Sequence, residues 1–215
     1  MWGSGFLYPE YSAINGLILA AGLSKRMGDF KPLMPLGGKT LIENAIDSVF
    51  AGGAHCVVVV TGYRSEEVCA LLRRRYGSEL ILAKNTAYAQ TDMLEPIRIG
   101  CRVLPKCDAF FLLPGDMPVV KQSTFQKLLA ARPAEKMSIV FPTLEGYRKH
   151  PPLIDAKLIP EILSFHEDGG LRQLWKKHEE LIRTVPVDDE GVWVDLDTQT
   201  DYQNCKQKLN FQNRR

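Results

Sequence analysis

From Gly16 to Phe141 short apolar runs alternate with amphipathic stretches, and this rhythm narrows the fold more than any other feature of the chain. Gly16–Ala20, Cys56–Val60, Leu80–Ala83, Asp108–Leu113 and Ser138–Phe141 are mostly apolar without a polar alternation, the pattern of strands buried on both faces. The intervals read as helices. Thr40-Leu-Ile-Glu43 is a capping box before a periodic apolar stretch that stops at Gly52-Gly53. Ser65-Glu66-Glu67 offers an N-cap serine and an acidic first turn to a helix running to about Tyr76. Met93–Val103 reads as a third helix, with Pro96 tolerable near its first turn, and Ser123–Ala131 as a fourth. Strands of this kind alternating with helices predict an α/β fold: one domain, Rossmann-like, with a mainly parallel sheet and helices on both faces.

The rhythm changes after Pro142. Leu158–Ser164, Leu171–His178, Leu181–Val185 and Val192–Leu196 are shorter segments, and a final helix starts near Thr200, with Thr200 and Asp201 at its N-cap. No repeat, low-complexity tract or linker divides the chain. Residues 14–210 read as the domain, its second half closing over an acceptor site, and residues 1–13 as an arm or appended remnant outside it. Trp175 and Trp193 read as packing residues.

A formal net charge of +2 is too small for a protein that binds nucleic acid over a broad surface. No apolar run approaches the ~20 residues that span a bilayer, and Met1–Ala13 lacks a secretory layout. The expectation is therefore a cytoplasmic protein with small-molecule partners, binding neither nucleic acid nor membrane. Cys56, Cys69, Cys101, Cys107 and Cys205 are odd in number and form no C-x-x-C pair, which favours buried reduced thiols.

Ligands of open α/β sheets bind beyond the carboxyl ends of the strands. The first such loop runs Leu19-Ala-Ala-Gly-Leu-Ser-Lys-Arg-Met-Gly28, then Asp29-Phe-Lys-Pro-Leu33. Its small residues let the backbone approach a ligand, and its amides can cradle phosphate oxygens. Arg26 and Lys31 add cations that can neutralise a triphosphate and its leaving group. Neither G-x-x-x-x-G-K-[ST] nor G-x-G-x-x-G is present, which disfavours a dinucleotide oxidoreductase. On composition alone, a strand-to-helix turn with solvated basic residues explains the loop as well. Asp116 follows the apolar run Phe110–Leu113 and Pro114-Gly115, where a carboxylate can hold Mg²⁺ or simply occupy a Pro-Gly turn.

L-A-A-G-x-S-x-R-M-G followed by K-P-L resembles the signature of the MobA-like NTP transferase family, whose members transfer CMP or GMP to molybdopterin. The likeness is to the molybdenum cofactor cytidylyltransferases and covers roughly Gly16 to Lys208. It implies a nucleotide-diphospho-sugar transferase-like fold, a magnesium-dependent reaction and CTP favoured over GTP, because Ala21 stands where guanylyl members have glycine. By this resemblance Leu19, Ala20, Ala21, Gly22, Ser24, Gly28 and Gly115 line the nucleotide, and Arg26 and Lys31 contact the triphosphate. G-D-M-P makes Asp116 a metal ligand. Val192-Trp-Val-Asp-Leu-Asp-Thr198 resembles the family's D-I-D-T segment, making Asp197 the second ligand and Asp195 its alternate. Lys149-His-Pro-Pro-Leu153 resembles G-H-P-x-L and turns His150 to the acceptor. Asp168-Gly-Gly-Leu-Arg172 resembles a turn before a helix, whose Gly169 and Gly170 suit a phosphate.

One stretch departs from the pattern. Asp92 replaces a glycine of the family and Glu95-Pro96 a serine pair, so either acid can hydrogen-bond an acceptor amino group. Tyr63 and Arg64 either flank the nucleotide or form an ordinary loop. The acceptor is read as molybdopterin-like, with a sugar phosphate or phosphocholine as alternatives. A non-catalytic regulatory or maturation protein on the same fold is the remaining reading. The resemblance also implies a monomer or weak homodimer that hands its product to a molybdoenzyme or chaperone.

Overall fold

The computed structural model describes residues 13–22, 29–90, 94–167, 169–194, 196 and 198–212. β1 (Ile14–Ala20) leads through a short 3-10 turn at Lys31–Leu33 to a two-strand ribbon, β2 (Pro35–Leu36) and β3 (Lys39–Thr40). Then come α1 (Leu41–Ala51), β4 (Cys56–Thr61), α2 (Ser65–Tyr76), β5 (Leu80–Lys84), α3 (Leu94–Val103), β6 (Ala109–Pro114) and α4 (Gln122–Ala131). The remainder comprises β7 (Ile139–Leu144), β8 (Tyr147–Arg148), β9 (Leu153–Asp155), α5 (Ile159–Ser164), α6 (Gly170–Lys177), β10 (Ile182–Pro186) and α7 (Gln199–Gln212).

Among the described residues the main sheet runs β10-β7-β9-β6-β1-β4-β5, with β8 paired to β7. β1 lies between β4 and β6, parallel to both. The unbroken apolar strands explain this central place. Ile18, Val57, Val59 and Phe111 enter one core cluster with residues of α1, α2 and α4. Their neighbours Leu17, Val58, Val60 and Phe110 enter a second, under α3, α5 and α6. Alternate side chains of a strand point to opposite faces, so each strand must be apolar throughout to serve two helix layers. A third cluster fastens α7 to the ribbon through Leu36, Leu41, Leu196 and Tyr202.

The sheet is mainly parallel, as expected, but two short members are reversed, β8 against β7 and β9 within the sheet. β9 is antiparallel to both β6 and β7 and fills the gap between them. Its three residues are too few to show a strand period in sequence.

The capping box of α1 forms as read. Thr40 Oγ1 accepts from the Glu43 amide, and the Glu43 carboxylate accepts from the Thr40 amide at 2.7 Å. Two caps differ from expectation. Ser65 is the first helical residue of α2 and shares a hydrogen bond with Thr61 Oγ1 at 2.7 Å; the cap position falls to Arg64, in left-handed conformation with φ 50°. The tight turn off β4 uses up the cap residue there. The box of α7 begins two residues earlier than read: Thr198 Oγ1 and Asp201 hold each other, with the Asp201 carboxylate 2.9 Å from the Thr198 amide. None of the five thiols is in a disulfide; Cys101 and Cys205 are buried, whereas Cys56, Cys69 and Cys107 are half-buried. Burial pushes the Cys101 thiol up to about 12. No helix among the described residues is long and apolar enough to cross a membrane.

Thr40→Ala removes half of the α1 box, and its loss is expected to cost about 1 kcal/mol. Urea unfolding should show a lower midpoint at unchanged slope, with Thr40→Ser close to the parent. Equal midpoints for Thr40→Ala and the parent would show that the box contributes nothing.

Candidate functional site

The carboxyl ends of β1, β4 and β6 converge on one edge of the sheet. At that edge the first loop and the loop after β6 are bound together. The Gly115 amide donates to the Leu19 carbonyl at 2.9 Å, carrying the β1–β6 ladder one step beyond the strands. A Cβ on Gly115 would stand 3.0 Å from Ile42 and 3.1 Å from the Leu19 carbonyl oxygen, so only glycine allows this approach without displacement. Pro114 through Met117 then turns sharply, the Met117 amide donating to the Pro114 carbonyl. The turn aims Asp116 back toward the first loop.

Lys31 meets it there. The ammonium lies 3.1 Å from Asp116 Oδ2, joining residues 85 positions apart. Lys31 opens the 3-10 turn that Pro32 favours, and the residue is only 7% exposed. A buried ammonium needs a charged or hydrogen-bonding partner, and the Asp116 carboxylate supplies one while remaining open to solvent on one side.

Two tightly packed features lie behind the first loop, and sequence reasoning missed their role. A Cβ on Gly62 would come within 2.6 Å of the Ala21 carbonyl oxygen, so the turn after β4 presses on the backbone of the first loop. Beside it an aromatic chain forms: Phe30 stands edge-on to Tyr63 at 5.5 Å, Tyr63 lies 6.2 Å from Tyr88, and the Arg64 guanidinium covers Phe30. Tyr63 and Arg64 thus brace the segment that carries Lys31. Only their position after a strand signalled this.

Asp189 was missed too. It is buried and accepts from the Lys121 amide at 2.8 Å, Thr124 Oγ1 at 2.6 Å and the Gly191 amide at 2.9 Å. A Cβ on Gly191 would fall 2.2 Å from the Val119 carbonyl oxygen. Together they lock the segment before Val192 to the chain that leaves Asp116. On the far side, Leu196 and Tyr202 pack against Met34 and Leu36, and the Tyr202 hydroxyl donates to the Pro35 carbonyl. The flanks of the acidic segment are therefore held at the Lys31–Asp116 edge. Asp195 and Asp197 themselves lie outside the described residues, as do Ser24, Arg26, Gly28 and Asp92.

His150 comes to the same edge. Its Nδ1 lies 3.4 Å from the Leu112 carbonyl in β6, and the cis His150–Pro151 bond separates it from β9. Burial holds its pKa below the ordinary 6.5, against the opposing pull of the Leu112 carbonyl and the Asp116 carboxylate. The structure thus brings together Leu19, Ala20, Ala21, Gly22, Lys31, Gly115, Asp116 and His150. Gly169 and Gly170 sit instead at the start of α6, with φ of 92° and 56°, conformations that call for glycine without any ligand. Glu95 is engaged by Arg98 at 3.2 Å and Arg102 at 3.1 Å, so its carboxylate already has two cationic partners. Trp175 packs edge-on to Phe141, as expected, whereas Trp193 is 49% exposed and is not a packing residue. The turn that Asp189 and Gly191 impose holds that segment at the surface.

Comparison with known proteins places this geometry. The MobA-like NTP transferase domain family matches residues 16–181. A nicotine blue oxidoreductase of Paenarthrobacter nicotinovorans is 29% identical over 196 residues, covering 88% of this chain and 94% of its own. The molybdenum cofactor cytidylyltransferase of Escherichia coli is 27% identical over 199 residues, covering 92% and 97%. A solved nucleotidyl transferase from Methanothermobacter thermautotroptrophicus shares the fold with a TM-score of 0.77 at 22% identity, covering 91% of this chain and 97% of that one.

A histidine with a depressed pKa stays neutral in the folded state while the unfolded chain takes up a proton. Stability is therefore full above about 6.5 and is lost as pH falls from there toward the lower folded value. His150→Gln should flatten that part of the stability–pH curve, and NMR should show the His150 ring titrating below 6.5. A ring that titrates at or above 6.5 would contradict its burial.

Proposed function

The chain belongs to the MobA-like NTP transferase family, and from that premise we propose that it transfers CMP from CTP to a phosphorylated small acceptor of the molybdopterin type, releasing pyrophosphate. The observation that carries this reading is the Lys31–Asp116 contact, which unites the two family motifs at one strand edge. A triphosphate would lie along the first loop, where the small residues Ala20, Ala21 and Gly22 let backbone amides approach its oxygens, with Ser24 and Gly28 in the same contact set by family resemblance. Arg26 and Lys31 balance its charge and the charge that builds on departing pyrophosphate.

The donor set suits Mg²⁺. Asp116 is a hard oxygen ligand, partly open to solvent, and no group of three or more His, Cys, Asp or Glu among the described residues forms an all-protein cage. Mg²⁺ keeps several waters and takes one or two carboxylates plus substrate phosphates. Asp116 would hold it with Asp197, and Asp195 is the alternate. When bound, the ion screens phosphate charge. The acceptor phosphate oxygen then attacks the α-phosphorus in line with the bridging oxygen. A new P–O bond forms, the α–β bridge breaks, and pyrophosphate leaves with the bonding pair. Positioning and charge screening suffice, without a covalent enzyme intermediate.

Ala21 supports the preference for cytosine. Its methyl group narrows the space for a purine, and the Gly62 backbone lies close behind the Ala21 carbonyl. On the acceptor side, His150 and Asp92 are the candidate contacts. The same reading places the protein in the cytoplasm with small-molecule partners, as a monomer or weak homodimer that hands its product to a molybdoenzyme or chaperone.

Purified protein with Mg²⁺, CTP and molybdopterin should release pyrophosphate. Asp116→Asn, which keeps a hydrogen bond to Lys31, should lower turnover by about 10²–10³ while circular dichroism stays unchanged. Mg²⁺-dependent turnover near the parent rate in that variant would remove Asp116 from the mechanism. In a separate titration CTP should bind at least about tenfold more tightly than GTP, a gap of roughly 1.4 kcal/mol. Tighter GTP binding would overturn the assignment of the base.

A further inference from the structure

Asp189 is a carboxylate buried without a counter-charge. It is 1% exposed. No described Lys, Arg or His side chain pairs with it, and the nearby Lys121 ammonium turns to the Asp188 carbonyl instead. An ion buried in this way is costly, and here only charge-assisted hydrogen bonds offset the cost. Both oxygens are committed, and to different stretches of chain. Oδ2 accepts from the Lys121 amide and from Thr124 Oγ1, 68 and 65 positions away at the start of α4. Oδ1 accepts from the Gly191 amide on its own stretch. A helix start alone is served by a serine or an asparagine, without burying a charge. Two acceptor oxygens on one short side chain, each facing a donor, are what a carboxylate adds.

The two stretches joined in this way stay together beyond the junction. A Cβ on Gly191 would fall 2.2 Å from the Val119 carbonyl oxygen, so the backbones touch. Met117 and Val120 enter the same core cluster as Val192. Val119 and Val194 both pack against the cluster that holds Leu196. The first stretch begins just after Asp116, and the second leads into Asp195, Leu196 and Asp197. Asp189 therefore ties together the two arms that carry the candidate metal acids, close to where each acid leaves its arm.

We propose that Asp189 is a positioning residue for the metal, setting the spacing between Asp116 and the acidic segment so that a carboxylate from each arm can reach one ion. This rests on the transfer reaction proposed above. Ligand groups held at the productive spacing bind a cation without first having to be ordered, and loosening their support lowers the affinity. Asp189 acts through the two arms rather than on the ion, because its own oxygens are already taken by neutral donors.

The probes are Mn²⁺, which shares the preference of Mg²⁺ for oxygen ligands, and a non-hydrolysable CTP analogue. Calorimetric titration of the full chain with the analogue, with and without Mn²⁺, gives the gain in affinity that the metal brings. Asp116→Asn should remove most of that gain. Asp189→Asn sets an N–H against a donor on one arm or the other, and should reduce the gain by about tenfold while the metal-free affinity stays at the parent value. Gly191→Ala forces the same junction apart without changing charge and should act likewise, which keeps the test open should Asp189→Asn not fold. Thr124→Val removes one hydrogen bond at α4 but leaves both bridging amides on Asp189. It should lower the urea midpoint and keep the full gain. In turnover assays Asp189→Asn should raise the apparent KM for Mg²⁺ and leave kcat at saturating Mg²⁺ near that of the parent. A full gain in folded Asp189→Asn or Gly191→Ala, or an equal loss in Thr124→Val, would overturn the proposal and leave Asp189 a helix cap. A full gain in Asp116→Asn, or none in the parent, would instead remove the metal site of the transfer reading, and this role of Asp189 with it.

Discussion

One backbone hydrogen bond, from the Gly115 amide to the Leu19 carbonyl, sets the distance between the two loops on which the candidate chemistry depends. It extends the β1–β6 ladder past the strand ends, where a Cβ at position 115 would need its neighbours to give by a few tenths of an ångström. With the loops at that spacing, Lys31 and Asp116 fall within contact. Every other support in the region serves that spacing. Gly62 presses the first loop from β4, the aromatic chain steadies Phe30 beside Lys31, and Asp189 anchors the chain that follows Asp116.

The electrostatic arrangement is unequal in a useful way. Lys31 is almost wholly buried, whereas Asp116 keeps one side open. A buried ammonium is costly without a partner, and the Asp116 carboxylate at 3.1 Å provides one. His150, held neutral by burial, adds no positive charge there near neutral pH, so the cationic character of the described edge rests on Lys31.

The elements with a strong period or a side-chain cap were legible in sequence. The run Cys56–Val60 declared a doubly buried strand, and Thr40 with Glu43 declared the start of α1. What depended on a distant contact was not. Ser65 looks like a cap residue in any sequence, but Thr61 claims its hydroxyl. Gly62 and Gly191 look like ordinary loop glycines until the Ala21 and Val119 carbonyls are placed against them. Trp193 reads as core by composition, yet the Asp189 turn holds it at the surface. At the candidate site Lys31 and Asp116 were legible because each stands in a sequence motif, and the structure joins them at 3.1 Å. Their braces were not, because bracing is a steric matter that no motif signals.

The reversed strand β9 also joins the two parts of the sheet. Among the described strands β7 meets the rest only through β9, which pairs with both β6 and β7. The chain turns at Gly146, in left-handed conformation, and β9 fills the edge of β6, so β7, β8 and β10 share a sheet with β1, β4, β5 and β6 through three residues, Leu153–Asp155. A substitution that disturbs those three residues therefore loosens two paired neighbours at once.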